Sequence, residues 1–169
     1  MILTEWLISV AISSMVLGAV AAISVFGSRS FSILGSYVDM DEQTRITIDR
    51  VSQEIRGADK LISYATNQLI FLVGGTNQVA FQYVPAAKTL VRKFNGVQTD
   101  LFLKQCDCLR FDIYQNDGTN TTFEALSPAT TNNCKVVQVN WRLSRGLAGV
   151  AASTEDFQSA RIVMRKQGS

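Results

Sequence analysis

The sequence contains no histidine among its 169 residues. Without histidine, the chain has no Ser-His or Cys-His pair that could activate a nucleophile. It also offers no imidazole for a zinc site and no histidine ligand for a haem. Phosphate-binding glycine loops and the nucleophile-elbow motif are missing as well. The sequence therefore argues against an enzyme, and we predict no catalytic residue and no cofactor.

Cysteine is scarce and its number is odd: Cys106, Cys108 and Cys134. In an oxidising compartment this count indicates one disulfide and one free thiol. Two pairings stay open, Cys108 with Cys134 or Cys106 with Cys134, and either loop of about 25 residues would contribute about 3 kcal/mol. A zinc site is the alternative, but three thiolates without histidine suit zinc poorly. We predict a disulfide and no metal site.

Charge is missing from residues 6–28, between Glu5 and Arg29. A helix needs about 20 apolar residues to cross a bilayer. The run lacks the basic start and the cleavage site of a secretory signal peptide. Taken alone, it predicts a single membrane anchor.

Residues 29–62 contain no proline, and they differ from the apolar run in their mixed charges. Pairs of opposite charge three or four residues apart, Glu42–Arg45 and Arg45–Asp49, indicate a solvated helix face. The apolar residues repeat at steps of three and four: Ile48, Val51, Ile55, Ala58 and Ile62. This spacing predicts that one helix runs from near residue 2 to about residue 60, with an amphipathic second half.

From residue 63 onwards, β-rich runs alternate with turn signals. The runs are 68–73, 79–84, 89–94, 101–104, 108–114, 121–126, 135–143 and 160–166. Two runs alternate clearly, with Leu109, Phe111 and Ile113 on one face of the first and Val137, Val139, Trp141 and Leu143 on one face of the second. Such alternation is typical of half-buried antiparallel strands.

The turn-like segment 116–120 and the nearby acids Asp112, Asp117 and Glu124 offer oxygen donors. Their spacing is not that of a calcium loop, so a hairpin turn is the prediction.

These patterns predict an α+β fold with three parts. Residues 1–28 form a hydrophobic membrane or filament-core helix, and residues 29–62 form its amphipathic continuation. Residues 63–169 form a β-rich head domain of antiparallel sheets on which the long helix packs.

The start of the chain resembles the processed N-terminus of type IV pilins and type II secretion pseudopilins. The residues that match this pattern are Met1, Leu3, Thr4 and Glu5. Ile2 departs from it, where threonine is usual, and so does Ala22, where many major pilins have proline. The order of the β-rich runs is similar to that of J-type minor pseudopilins and W-type minor pilins. The resemblance therefore implies a pilin fold.

The resemblance also implies roles for single residues. The amine of Met1 is N-methylated after processing, and Glu5 neutralises that amine on a neighbouring subunit. A carboxylate in an apolar layer is costly unless it is paired, so this pair enforces one register. The alternative is that Glu5 merely reaches the lipid headgroups. The apolar residues expected to form the filament core are Leu3, Trp6, Leu7, Val10, Leu17, Val20 and Phe26.

The function implied is that of a structural subunit of a type IV pilus-like filament or pseudopilus. Its partners are further copies of itself, other pilins or pseudopilins, the inner membrane, prepilin peptidase and the assembly machinery. The implied location is the bacterial inner membrane with a periplasmic head, then a cell-surface filament or a periplasmic pseudopilus. Two alternatives stay open, a minor subunit at the filament tip and a monomeric membrane-anchored binding protein. The mild basic charge of residues 61–169 does not indicate nucleic acid.

Overall fold

The computed structural model describes residues 2–115, 127–146 and 153–165. It divides into two compact units, residues 1–38 and residues 39–169. One helix, α1 (Ile2–Gly57), contributes to both units. The strands of the described residues are β1 (Lys60–Ala65), β2 (Gln68–Val73), β3 (Asn77–Val84), β4 (Thr89–Phe94), β5 (Val97–Leu103), β6 (Cys106–Gln115), β7 (Ser127–Pro128), β8 (Val136–Gly146) and β9 (Ser153–Val163).

The second unit contains two antiparallel sheets. The first sheet has the order β1-β2-β3-β4-β5, so each strand pairs with its neighbour in sequence. The second has the order β7-β6-β8-β9, so β8 pairs directly with β6 and leaves the short β7 at one edge. The predicted α+β class, with a long N-terminal helix followed by antiparallel sheets, is confirmed.

The part of α1 that belongs to the second unit buries one stripe of side chains. The stripe consists of Met40, Thr44, Thr47, Val51 and Ile55. The hydroxyl of Thr47 donates a hydrogen bond to the carbonyl of Phe102 at 3.0 Å, and that of Thr44 donates to the carboxylate of Asp156 at 3.2 Å. Because both hydroxyls have hydrogen-bond acceptors, burying them costs little free energy. Threonine can therefore occupy these two positions of an otherwise apolar stripe.

The helix ends at Gly57, and β1 begins at Lys60, inside the segment predicted to be helical. The prediction that Ile62 continues the helical stripe is therefore wrong. In a strand the side chains alternate, so Leu61 is buried while Ile62 is 40% exposed. Arg45 forms an ion pair with Asp41 at 3.0 Å, one helical turn before it, and not with the predicted partners.

The strand faces predicted from alternation are confirmed. The inward side chains of β6 and β8 are all buried: Leu109, Phe111, Ile113, Val137, Val139, Trp141 and Leu143. The runs 68–73 and 89–94 coincide with β2 and β4, whereas β5 and β9 begin earlier than predicted. The predicted strand 121–126 and the predicted turn 116–120 lie outside the described residues.

Two tyrosines connect the sheets through hydrogen bonds. The hydroxyl of Tyr83 lies 3.0 Å from the carbonyl of Cys106 and 2.8 Å from that of Asp107. The hydroxyl of Tyr64 donates to the carbonyl of Phe111 at 3.1 Å. Burial raises the pKa of both tyrosines above the usual range. The hydroxyls therefore stay protonated and keep donating to carbonyls of β6.

A partly buried arginine joins the helix to the first sheet. The guanidinium of Arg92 lies 2.7 Å from the carboxylate of Glu54 on α1 and 3.4 Å from that of Asp100 on β5. A planar guanidinium can hold two carboxylates at once, which suits this position better than lysine would. The contact helps to orient residues 39–57 against β4 and β5.

Candidate assembly surface

The first unit presents an apolar helical surface that is exposed in the part of the chain that the structure describes. Its most apolar 18-residue window has a mean hydropathy of 2.2, and none of that window is buried. By length and composition the helix could span a membrane.

All seven residues predicted to form a filament core are exposed in this unit. They are Leu3, Trp6, Leu7, Val10, Leu17, Val20 and Phe26. At about 100° per residue, all except Phe26 project from one side of the helix. Other exposed apolar residues, among them Ile8, Ile12 and Ile23, occupy the remaining sides. The surface is therefore apolar all round, which is typical of a helix surrounded by lipid or by other helices.

The exposed apolar surface continues beyond residue 28, where the predicted core segment ends. Phe31, Leu34 and Val38 are exposed at spacings of three and four residues. These positions fall on one helix face. The division of the structure after Val38 agrees with this extension, because the packed unit starts at Asp39.

Glu5 lies in the first turn of α1, where the unpaired backbone N–H groups of the helix favour an acid. It stands at one end of a shallow groove of about 550 Å³. The groove is lined by Glu5, Trp6, Ser9, Val10, Ser13, Ser14 and Leu17. Steps of four residues from Glu5 place Ser9 and Ser13 on the same helix face as its carboxylate.

The serine hydroxyls of the apolar segment are largely satisfied within the helix. Ser14 donates to the carbonyl of Ala11 at 2.8 Å, and Ser24 donates to that of Val20 at 2.9 Å. Ser28 bonds in the same way to the carbonyl of Ser24 at 2.9 Å. A hydroxyl that bonds to its own helix costs less in an apolar environment, so these serines do not prevent burial against lipid or protein.

Met1 lies outside the described residues, so the pairing of its amine with Glu5 stays a prediction.

The three cysteines are free thiols, and the predicted disulfide is wrong. Strand register gives the reason, because Cys108 lies opposite Arg142 whereas Tyr114 lies opposite Val136. Cys134 therefore lies at the Tyr114 end of β6, about 20 Å along the strand from Cys108 and farther from Cys106. A disulfide needs Cα atoms within about 7 Å of each other.

Burial makes two of these thiols unreactive. It raises the pKa of Cys106 to about 12 and that of Cys134 to about 11. Both thiols stay protonated at neutral pH, whereas a metal ligand or nucleophile must be a thiolate. Within the described residues, no group of three or more potential ligands of the His, Cys, Asp or Glu types lies together.

A second surface feature lies on the outward face of β6, β8 and β9. It is a shallow groove of about 530 Å³ that includes Cys108, Arg142 and Phe157 in its lining. The guanidinium of Arg142 lies 5.8 Å from the centre of the Phe157 ring, in cation–π geometry. Arg110, on the same face, is neutralised by Asp112 at 2.8 Å. The groove combines a cation with an exposed aromatic ring.

Comparison of the chain with protein-family models, with curated proteins and with solved structures finds no match.

Proposed function

We propose that this protein is a structural subunit of a type IV pilus-like filament or pseudopilus. The observation that supports this most strongly is a single helix with two different environments. The part of the helix up to Val38 belongs to a separate unit with an exposed apolar surface, and its continuation belongs to a β-sheet unit with a buried core. A subunit that polymerises through its helix needs both parts.

The apolar surface favours an environment away from water, because burying apolar area stabilises by about 25 cal/mol per Å². Before assembly, the bilayer of the bacterial inner membrane provides it, with the head domain in the periplasm. After assembly, helices of neighbouring copies provide it in a cell-surface filament or a periplasmic pseudopilus. Prepilin peptidase and the assembly machinery are the partners that this route requires.

Glu5 is the residue that favours polymerisation over simple anchoring. An unpaired carboxylate in an apolar environment costs several kcal/mol. The amine of Met1 on a neighbouring copy would neutralise this charge, and only one axial register would bring the two groups together. A wrong register leaves two unpaired charges, so the pair selects the correct arrangement.

Replacing Glu5 by leucine or by glutamine tests this proposal. Each variant should still enter the membrane, because the apolar segment is intact, but should yield few sheared filaments when these are imaged. Glu42→Gln is the matched control, since it removes an exposed helical carboxylate from the β-sheet unit. Normal filament yield from both Glu5 variants would contradict the proposal.

The groove beside Phe157 favours a second candidate, a membrane-anchored periplasmic binding protein that stays monomeric. Such a protein needs no methylated amine at Met1, so the intact mass of the N-terminal peptide discriminates between the two functions. A minor subunit at the filament tip would instead be recognised by counting copies per filament.

A further inference from the structure

We propose that β9 is a docking edge for a second copy of this chain, so that two head domains join in a symmetric, continuous β-sheet. Within the described residues, β9 pairs with β8 on one side only. The eleven residues of β9 match β8 without a register shift, from Val163 opposite Val136 to Ser153 opposite Gly146. A long, regular edge strand of this kind is a template for another strand.

The other edge strands lack this regularity. β5 has two register shifts along its pairing with β4, and β1 has one along its pairing with β2. β7 is only two residues long. Bulges and short edges are the usual ways in which sheets prevent edge-to-edge contact. Among the described edges, β9 is therefore the one best suited to pairing.

The direction of the backbone groups on β9 follows from one hydrogen bond. The N–H of Met164, just beyond β9, donates to the carbonyl of Lys135 at 2.9 Å. In an antiparallel pair, residues with backbone groups directed to the partner alternate with residues directed away from it. The even-numbered residues of β9 thus bond to β8. Its odd-numbered residues, from 153 to 163, direct their N–H and C=O groups to the free edge.

In one antiparallel register, β9 of two copies can form backbone hydrogen bonds and also place opposite charges next to each other. When the strands are centred on Gln158, residues whose numbers sum to 316 face each other, and odd-numbered residues meet odd-numbered ones. Glu155 then lies opposite Arg161 of the other copy, twice by symmetry. Both side chains are exposed, and no ion pair involves either within the described residues. The Nε–H of Arg161 donates to the side-chain oxygen of Gln138 on β8 at 3.0 Å, and the guanidinium keeps four further N–H donors for a carboxylate.

Neighbouring registers lose this complementarity. A shift of two residues places Glu155 opposite Ser159 or Val163, and a parallel in-register pairing places it opposite itself. Opposite charges across a strand pair stabilise it, whereas like charges destabilise it. The same two residues therefore favour one register and disfavour others, which is how edge strands gain specificity.

The exposed side chains of β9 add apolar area to the proposed contact. Phe157 is 67% exposed and Val163 is 56% exposed. In the centred register, Phe157 lies opposite Ser159, so the aromatic ring meets a small side chain. The two-fold contact closes on itself and joins two copies. It does not depend on the proposed filament function.

Charge exchange tests the register in the full-length chain in detergent micelles, with dimerisation measured by analytical ultracentrifugation. Glu155→Arg and Arg161→Glu should each weaken the dimer about tenfold, because like charges then face each other twice. The double variant should recover it. Lys104→Glu is the matched control for a change of surface charge. Equal dimerisation of the single variants and the unaltered chain would overturn the proposal.

Cysteine cross-linking tests the register in a second way, without a measurement of the affinity between the two copies. Gln158 faces its own copy across the two-fold axis as a non-hydrogen-bonded pair, in which Cα atoms are about 4.5 Å apart. In a Cys108→Ser background, Gln158→Cys should therefore form a disulfide-linked dimer on oxidation. Ser159→Cys, displaced by one residue, should cross-link at least about tenfold more slowly. Equal cross-linking at both positions, or none at position 158, would contradict the register.

Discussion

The cysteines illustrate how the position of one residue relative to a strand end changes its chemistry. Cys108 lies on the outward face of β6 and is exposed, whereas Cys106 is buried two residues earlier, across a register shift. Cys134 precedes β8, which begins at Val136, and therefore does not follow the alternation of that strand. Each thiol thus has its own environment, and one of the three is accessible.

Thiol labelling tests this arrangement. The native chain at pH 8 should react rapidly with one equivalent of a thiol reagent, at Cys108. The raised pKa and the burial of Cys106 and Cys134 should keep both unlabelled until the protein is unfolded. Unfolding without a reductant should release all three thiols. Cys108→Ser should abolish the rapid phase. A single reactive thiol in the unfolded, unreduced chain would show instead that a disulfide forms.

Asp107 holds a small polar cluster together at the start of β6. Its carboxylate accepts hydrogen bonds from the Lys88 ammonium at 2.6 Å and from the hydroxyl of Ser144. These hydrogen bonds, the one from Lys88 above all, hold the pKa of Asp107 below its usual value. The ionised carboxylate consequently stabilises the folded state more than the protonated carboxyl does.

This shift predicts a pH dependence. A carboxyl with a lowered folded-state pKa stabilises fully above its unfolded value of about 3.9 and loses that contribution as the pH falls through the lower folded value. Asp107→Asn should therefore lower the free energy of unfolding at pH 7, as measured by urea titration. The free energies of unfolding at pH 7 and at pH 2.5 should also differ less in this variant than in the unaltered chain. Ser144→Ala should give an intermediate result. An unchanged difference in Asp107→Asn would contradict the assignment.

The β4–β5 hairpin depends on backbone conformations that few residues tolerate. Phe94 pairs with Val97, and the two residues between them, Asn95 and Gly96, have φ values of 50° and 84°. Positive φ at both central positions defines the type I′ turn that asparagine–glycine favours. The side chain of Asn95 also accepts a hydrogen bond from the N–H of Gln78 at 2.7 Å. Local sequence thus determines the turn.

Two glycine substitutions separate backbone strain from lack of space. A Cβ atom added at Gly96 or at Gly57 would meet no other atom within 4 Å, but only Gly96 has a positive φ. Gly96→Ala should lower the free energy of unfolding by about 1–2 kcal/mol, whereas Gly57→Ala, at the end of α1, should not. Thermal unfolding measures both variants, and equal effects would refute the strain argument.

The distribution of the core indicates which part of the molecule folds independently. Among the described residues, all the buried ones lie at or beyond Met40, and the β-sheet unit begins at Asp39. The apolar segment before it contributes no buried side chain among the described residues. The buried core that stabilises the fold therefore lies in the β-sheet unit.

Two truncations test this separation. A chain that begins at Asp39 should fold without detergent, because it keeps the whole buried stripe of α1. A chain that begins at Ile48 should lose several degrees in Tm, since it lacks buried Met40 and the hydrogen bonds of Thr44 and Thr47. Failure of the longer chain to fold would contradict the division.

Much of the fold could be predicted from the chain's local patterns. The apolar run, the helical spacing of Val51 and Ile55, and the alternation around Phe111 and Val139 each reflect a period of one element. Glu5 stands out as the lone charge at the start of the apolar run for the same reason. The helix end was harder to predict, because Ile62 fits a helical repeat as well as a strand.

Other features depended on contacts between distant segments. Three features depend on which strands pair and in which register. They are the separation of Cys108 from Cys134, the acceptors of Thr44 and Thr47, and the position of β9 at the edge of its sheet among the described strands. Pairing brings together residues that are far apart in sequence, and no local period encodes it. The sequence alone was thus enough to predict the apolar helical segment and Glu5, its single carboxylate. Tertiary structure decided which thiols are buried and which strand lies at the edge of its sheet.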